Sequence, residues 1–369
     1  MKRIIASILL VSVLILALAS CGLGSGQIPG TQNPDDKKDP EAKTRSEVWY
    51  DYFATVSNVK SFGPDTDDNF KAVTDKVKTM LSEYHKLYDI YFEYTGINNI
   101  KTINDNAGIA PVKVDERIID LLKFGIEAYE LTDGEVNVMM GSVLKLWHDA
   151  REAQGKNGIP TDEALSLANM HTSISSLEIN EAEGTVFITD SDASLDVGAI
   201  AKGYATERIA EALIADTTLT TEGYALNIGG NIRLIGKKNG ADFKVGITNP
   251  DKSSEEAYAT TIMVSDTSIV TSGDYERYFT VDGKNYHHVI DKDTLQPSTY
   301  FHSVTVVTKD GALADALTTA LFSMHINDGY ALVENMNGVE AMWIGTNGTT
   351  VKSTGFPEAV ESKVYNGNI

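Results

Sequence analysis

The chain has 369 residues, with 52 acidic against 31 basic side chains, a formal net charge of −21 and a single cysteine. So acidic a balance argues against a nucleic-acid binder, which needs a basic face, and one thiol excludes an intrachain disulfide or a thiolate metal cluster. The length allows a large core, in one big domain or two closely packed ones.

The N-terminus reads as an address. Lys2 and Arg3 precede an apolar run from Ile4 to Ala19. That run is short of the roughly 20 apolar residues a membrane span needs but suits the apolar region of a signal peptide. It closes on Leu18-Ala19-Ser20-Cys21-Gly22, which resembles the lipobox of bacterial lipoproteins, where the cysteine is acylated and the peptide is cut before it. Residues 1–20 are therefore expected to be a signal peptide. Acylated Cys21 would hold the protein to the lipid bilayer, anchored and not spanning, on the extracytoplasmic side of the cell membrane. The competing reading is a secretory signal with an incidental cysteine. Residues 21–44, rich in Gly, Pro, Asn, Asp and Lys, are expected to be the lipidated cysteine and a flexible tether, and residues 45–369 the globular domain.

Apolar residues at helical spacing from Phe70 to Leu87 predict an amphipathic helix over Asp68–Leu87. A second is expected from about Asp115, a plausible cap, to Tyr129. After the loop Thr132-Asp133-Gly134, Val136–Trp147 reads as a helix. Ser176–Asn180 and Thr185–Thr189 read as a hairpin, and Ala201–Leu213 as a helix. Strands are expected at Ala225–Ile228, Asn231–Ile235, Phe243–Ile247, Ala259–Val264, Ser268–Thr271, Tyr278–Val281, Tyr286–Ile290 and Ser303–Val307. A helix over Ala312–Met324 and a hairpin of Glu340–Ile344 with Thr350–Lys352 complete the pattern. Blocks of helices and antiparallel-looking strands indicate an α+β fold, largely antiparallel sheets packed with helices in one large globular unit.

Four segments carry candidate chemistry. In Leu195–Ala205 a strand ends at Asp196, small residues make a tight passage, and a helix opens with Lys202 in its first turn. This suits anionic phosphates, although a plain strand-to-helix turn with a solvated lysine reads equally well. In Asn227-Ile228-Gly229-Gly230-Asn231 the paired glycines mark a hairpin turn or expose amides to a nucleotide. Thr271–Tyr278 is a polar turn, followed by Tyr286-His287-His288-Val289-Ile290-Asp291. Strand alternation puts the two histidines on opposite faces, so one is structural and the other is free to move a proton. In Ala314–Leu321, Asp315 and Thr319 lie four apart, so a helix presents both oxygens to a hard cation such as magnesium, or else Thr319 bonds back to a carbonyl and Asp315 caps the helix.

In this order, the segments resemble the FAD:protein FMN transferases, the ApbE family, from about Val48 to Ile344. Asn99–Asn104 is similar to that family's early flavin-site loop and Asp133–Trp147 to its Gly-Ala-Phe-Asp segment. The resemblance implies FAD contacts at Asn104, Glu135, Val136, Asn137, Asp196, Lys202, Asn227, Gly229, Gly230, Asn231 and Ile290. It implies magnesium held by the side chains of Asp315 and Thr319 and the carbonyls of Ala199 and Thr318, with His288 assisting the chemistry. It further implies magnesium-dependent cleavage of the FAD pyrophosphate. FMN would pass to a Thr or Ser hydroxyl of an extracytoplasmic acceptor, commonly a subunit of a membrane redox complex, and AMP would leave. The chain departs from the family in three places. Asp291-Lys292-Asp293-Thr294-Leu295-Gln296-Pro297 stands where the family often has Asp-Pro-x-Thr-Gly-x-Pro, Asn137 where an aspartate is common, and Met139 where a threonine is. Three other functions stay open at this point: an FAD pyrophosphatase with water as nucleophile, a flavin-binding lipoprotein without catalysis, and a solute-binding lipoprotein.

Overall fold

The computed structural model describes residues 44–63 and 65–358; the expected signal peptide, Cys21 and the tether up to residue 43 lie outside them. Strands β1 (Arg45–Tyr52) and β2 (Thr55–Ser61) form a hairpin leading to α1 (Asp67–Tyr88). Thr66 caps α1 by accepting the Asn69 N–H, and Asp67 and Asp68 fill its first turn, so cap and helix dipole favour the same start. Next come α2 (Ile100–Asp105), β3 (Val112–Lys113), α3 (Glu116–Leu131), α4 (Gly141–Glu152) and α5 (Asp162–Asn169). A hairpin of β4 (Leu177–Asn180) and β5 (Thr185–Ile188) joins β3 in a small antiparallel sheet ahead of α6 (Ala201–Ile214). Then follow β6 (Tyr224–Ile228), β7 (Asn231–Ile235), β8 (Phe243–Thr248), β9 (Tyr258–Val264) and β10 (Ser268–Gly273). After β11 (Tyr278–Val281), β12 (Lys284–His287) and β13 (Phe301–Thr308) come α7 (Gly311–Ser323), α8 (Ile326–Glu334), β14 (Val339–Gly345) and β15 (Thr350–Lys352).

Eight strands make one sheet in the order β1-β2-β6-β7-β10-β13-β14-β15, antiparallel throughout. Alternation along its strands separates two cores. Val270, Val304, Val306, Ala341 and Trp343 pack with Leu317, Leu321 and Phe322 of α7. Ile269, Val307, Met342 and Ile344 point the other way, against Phe243, Val245 and Ile262 of the β8–β9 ribbon. Helix α6 packs on α7 and across β6 and β7. The fold is the expected α+β type.

Four expected elements differ. Asn99–Asn104, expected as a loop, is mostly helix α2, with Asn99 as its cap accepting the Thr102 N–H at 3.1 Å. No strand ends at Asp196, since the segment before α6 makes the isolated bridge of Ser194 with Met140 and no ladder. The helix expected over Val136–Trp147 begins only at Gly141. Asn137 Oδ1 accepts the Met139 N–H and Asp196 donates its N–H to the Val138 carbonyl, so the chain first turns and pairs with the segment before α6. The strand expected over Tyr286–Ile290 ends at His287. There the imidazole Nε2–H donates to the Ser298 carbonyl at 2.7 Å while Nδ1 accepts the Val289 N–H at 3.2 Å, which turns the backbone out of the ladder.

Candidate active site

Helices α6 and α7 cross at Gly203. A Cβ there would lie 2.4 Å from Asp315 Cβ and 2.4 Å from the Gly311 carbonyl oxygen, so no other residue allows the approach. The cap position of α6 is Ile200, which has no side chain able to satisfy the first-turn amides. Asp315 of α7 does so from outside, its Oδ2 accepting the Gly203 N–H at 2.8 Å. Both oxygens of Asp315 lie 3.4 Å from Lys202 Nζ, and the carboxylate is 4% exposed. Beside this point Asn231 Oδ1 is buried with no hydrogen-bond partner. Thr318, fully buried, donates its hydroxyl to the Asp315 carbonyl at 2.9 Å, and half-buried Thr319 does so at 3.4 Å. An anionic carboxylate, a weakly engaged hydroxyl and an orphan amide oxygen are a donor set that fits a hard cation. Ala199 is half-buried in the passage ahead of α6.

That passage is held from both sides. Asn104 brackets Leu195, accepting its N–H at 2.7 Å and donating to its carbonyl at 2.9 Å, so its carboxamide acts on the chain just before Asp196. Asp196 Oδ1 takes the Gly198 N–H at 2.8 Å. Burial raises the Asp196 pKa, against the opposing pull of that bond, His148 and Arg151.

The opposite wall is cationic. Water reaches the His288 side chain, but protein closes around it. Crowding by protein, then Arg277, His287, Lys202 and Arg151, lowers its pKa, and the exposure of the side chain to water screens that shift. Arg277, exposed to solvent, donates to the Ala54 carbonyl at 3.3 Å; crowding by protein and then Arg151 lower its proton affinity, against the pull of Glu276. Arg151 Nη2 donates to His148 Nδ1 at 2.9 Å. Tyr91 stacks on that imidazole with ring centres 4.7 Å apart. Arg151, His148 and Tyr91 are candidate site residues that sequence reasoning missed, and Arg277 lay in the polar turn it singled out but was given no role. That turn was the one available signal.

The flavin-side residues separate. Glu135 lies 3.4 Å from Lys292 Nζ, its Oε2 is buried without a partner, and burial raises its pKa to about 7 despite Lys292. Asn137, Asp133, Gly134, Tyr129 and Lys292 line a cavity of about 300 Å³. Asn137 Nδ2 donates to the Thr172 carbonyl, a bond an aspartate could not make. Val136 and Ile290 turn their side chains into the core, Ile290 beside Trp147 and Leu295. In the β6–β7 turn the Gly229 N–H goes to the Val56 carbonyl and the Gly230 N–H to Asn227 Oδ1. Both glycine amides are thus occupied, and the turn reading holds locally.

Residues 53–343 match the sequence model of the ApbE family. An FAD:protein FMN transferase of Treponema pallidum (strain Nichols) is 29% identical, covering 83% of this chain and 86% of its own. Another, from Haemophilus influenzae, is 26% identical over 98% of this chain and all of its own. The crystal structure of an ApbE protein from Thermotoga maritima superposes with a TM-score of 0.72 at 27% identity, covering 85% of this chain and 97% of its own.

Proposed function

The chain belongs to the ApbE family of flavin transferases, and from that premise we propose how its own residues carry the reaction. The substrate is FAD, and the acceptor is a threonine or serine hydroxyl on another extracytoplasmic protein, such as a subunit of a membrane redox complex. The acceptor oxygen bonds to the FMN phosphorus, the bond from that phosphorus to the bridging oxygen breaks, and AMP leaves with the electron pair. His288 takes the hydroxyl proton. Desolvation by the surrounding protein and, after it, the cations Arg277, Lys202 and Arg151 lower its pKa in the free site, and phosphate charge entering the site offsets those cations and raises its basicity. Lys202 and the first turn of α6 face the pyrophosphate. Asp315, Thr319 and the carbonyls of Ala199 and Thr318 are the residues that would hold magnesium. The bound ion supplies charge neutralisation on the pyrophosphate and on departing AMP.

The observation that carries this reading is the meeting of Lys202, Asp315 and the unpartnered Asn231 oxygen at one glycine crossing, with His288 in the field of Lys202 and Arg277. Water access to His288 favours a second activity, slow hydrolysis of FAD to FMN and AMP when no acceptor is present. The test is incubation with FAD, magnesium and an acceptor domain, scoring covalent flavin fluorescence on a denaturing gel. Covalent flavin is expected with magnesium and not with excess chelator, and His288→Ala should lower transfer by about 10²- to 10⁴-fold. Transfer that survives chelation would refute the metal role.

A further inference from the structure

Helices α6 and α7 hold each other by two matching bonds. Asp315 of α7 accepts the Gly203 N–H of α6 at 2.8 Å, and Glu207 of α6 accepts the Gly311 N–H of α7, also at 2.8 Å. Each glycine lies four residues, one helical turn, before the carboxylate on its own helix. We infer that Glu207 is a positioning residue for the proposed cation site, setting the register of α6 against α7 through Gly311 so that Asp315 stays beside Lys202 and Asn231. The inference rests on the metal reading given above.

Physical reasons make the second bond the one that fixes register. Gly203 and Gly311 leave the crossing without side-chain ridges, and it is ridges in grooves that ordinarily set how helices seat. A Cβ on Gly311 would come 3.0 Å from Ser268 Oγ and 3.1 Å from Glu207 Oε2, so the crossing is polar as well as close. Asp315 must share its oxygens with a cation and with Lys202, so its bond to Gly203 changes with occupancy. Glu207 has no such duty. It is 5% exposed, pairs with buried Arg233 at 3.2 Å and takes the Ser268 hydroxyl at 3.4 Å. A carboxylate so enclosed keeps one geometry while the other exchanges partners.

Three variants separate the clasp from the buried ion pair. Glu207→Gln keeps an acceptor for the Gly311 N–H but loses the charge opposite Arg233. Glu207→Asp keeps that charge but is one methylene too short to hold Gly311 as well. Glu207→Ala loses both. Mn²⁺ affinity is read by electron paramagnetic resonance on the full chain, together with metal half-saturation of flavin transfer, kcat at saturating metal and thermal unfolding. Removing an outer partner of a metal ligand costs about 10- to 100-fold in affinity, and Glu207→Asp and Glu207→Ala should show a loss of that order, with kcat recovering at saturating metal. Glu207→Gln should regain most of the affinity although it unfolds at lower temperature. If Glu207→Ala does not fold, Glu207→Asp against Glu207→Gln decides alone. Wild-type Mn²⁺ affinity in Glu207→Asp, or equal weakness in Glu207→Gln and Glu207→Asp, overturns the inference. A wild-type protein that binds no Mn²⁺ overturns it along with the metal reading beneath it.

Discussion

Among the described residues Arg277 makes no ion pair within 4 Å, and Glu276 is the carboxylate whose charge reaches it. Its guanidinium reaches the Ala54 carbonyl and lies in the field of Arg151, and both arginines act with Lys202 on His288. Like charges held together repel unless an anion joins them, and FAD brings two phosphates. Hydrogen bonds to charged groups are worth about 1.5–3 kcal/mol, so Arg277→Ala should weaken FAD binding by roughly 10- to 100-fold. The loss should shrink at high salt; titrating FAD fluorescence at low and high ionic strength measures both effects. Glu135 makes a prediction in pH. Its folded pKa of about 7 lies above its ordinary 4.5, so the folded state holds an extra proton between those values. The associated stability is full below 4.5 and is lost as pH rises through 7. Denaturant midpoints across that range should fall in wild type relative to Glu135→Gln; parallel curves would mean that the carboxyl is not so perturbed. At this scale Asp315 and Lys202 could be picked out because each sits at a recognisable point of a helix. Arg151 and Arg277 could not, because only the three-dimensional fold brings the end of α4 and the β10–β11 turn to His288.

For the elements, legibility followed periodicity. Helix α1 was expected over Asp68–Leu87 and runs Asp67–Tyr88, and α6 and α7 fall within a residue or so of expectation. The N-terminal hairpin of β1 and β2 was missed. β1 is an edge strand with a bulge between Trp49 and Tyr52, and its exposed Val48 and Tyr50 blur the alternation that marks a half-buried strand. Leu295 shows a departure with a structural meaning. It stands where the family often has glycine and holds a left-handed φ of 57°, a strain offset by burying its side chain beside Trp147, whose indole N–H donates to its carbonyl at 2.9 Å. The sharpest test at this scale is Gly203→Ala. Its Cβ has no room between Asp315 and Gly311, so the helices must part, at a cost of about 1–3 kcal/mol for overpacking. The unfolding temperature should fall and transfer should be lost. Gly230→Ala, with nothing within 4 Å of its Cβ, pays only for its positive φ of 90°, about 1–2 kcal/mol, and should keep activity.

Across the whole molecule, an acidic chain of net charge −21 concentrates Lys202, Arg151 and Arg277 around one cleft. No helix among the described residues is long and apolar enough to cross a membrane. The anchor expected from the Leu18–Cys21 lipobox is acylated Cys21, and that expectation is open to a direct test. The candidate site residues lie between Tyr91 and Thr319, all within the described residues, so anchoring and chemistry should separate cleanly. Cys21→Ala is expected to leave the membrane fraction after a high-salt wash, while the purified soluble protein transfers flavin at the wild-type rate. Radiolabelled fatty acid should mark wild type and not the variant. A Cys21→Ala protein that stays in the washed membranes would mean that another segment anchors the chain, and one that leaves them without activity would mean that the N-terminus takes part in the site itself.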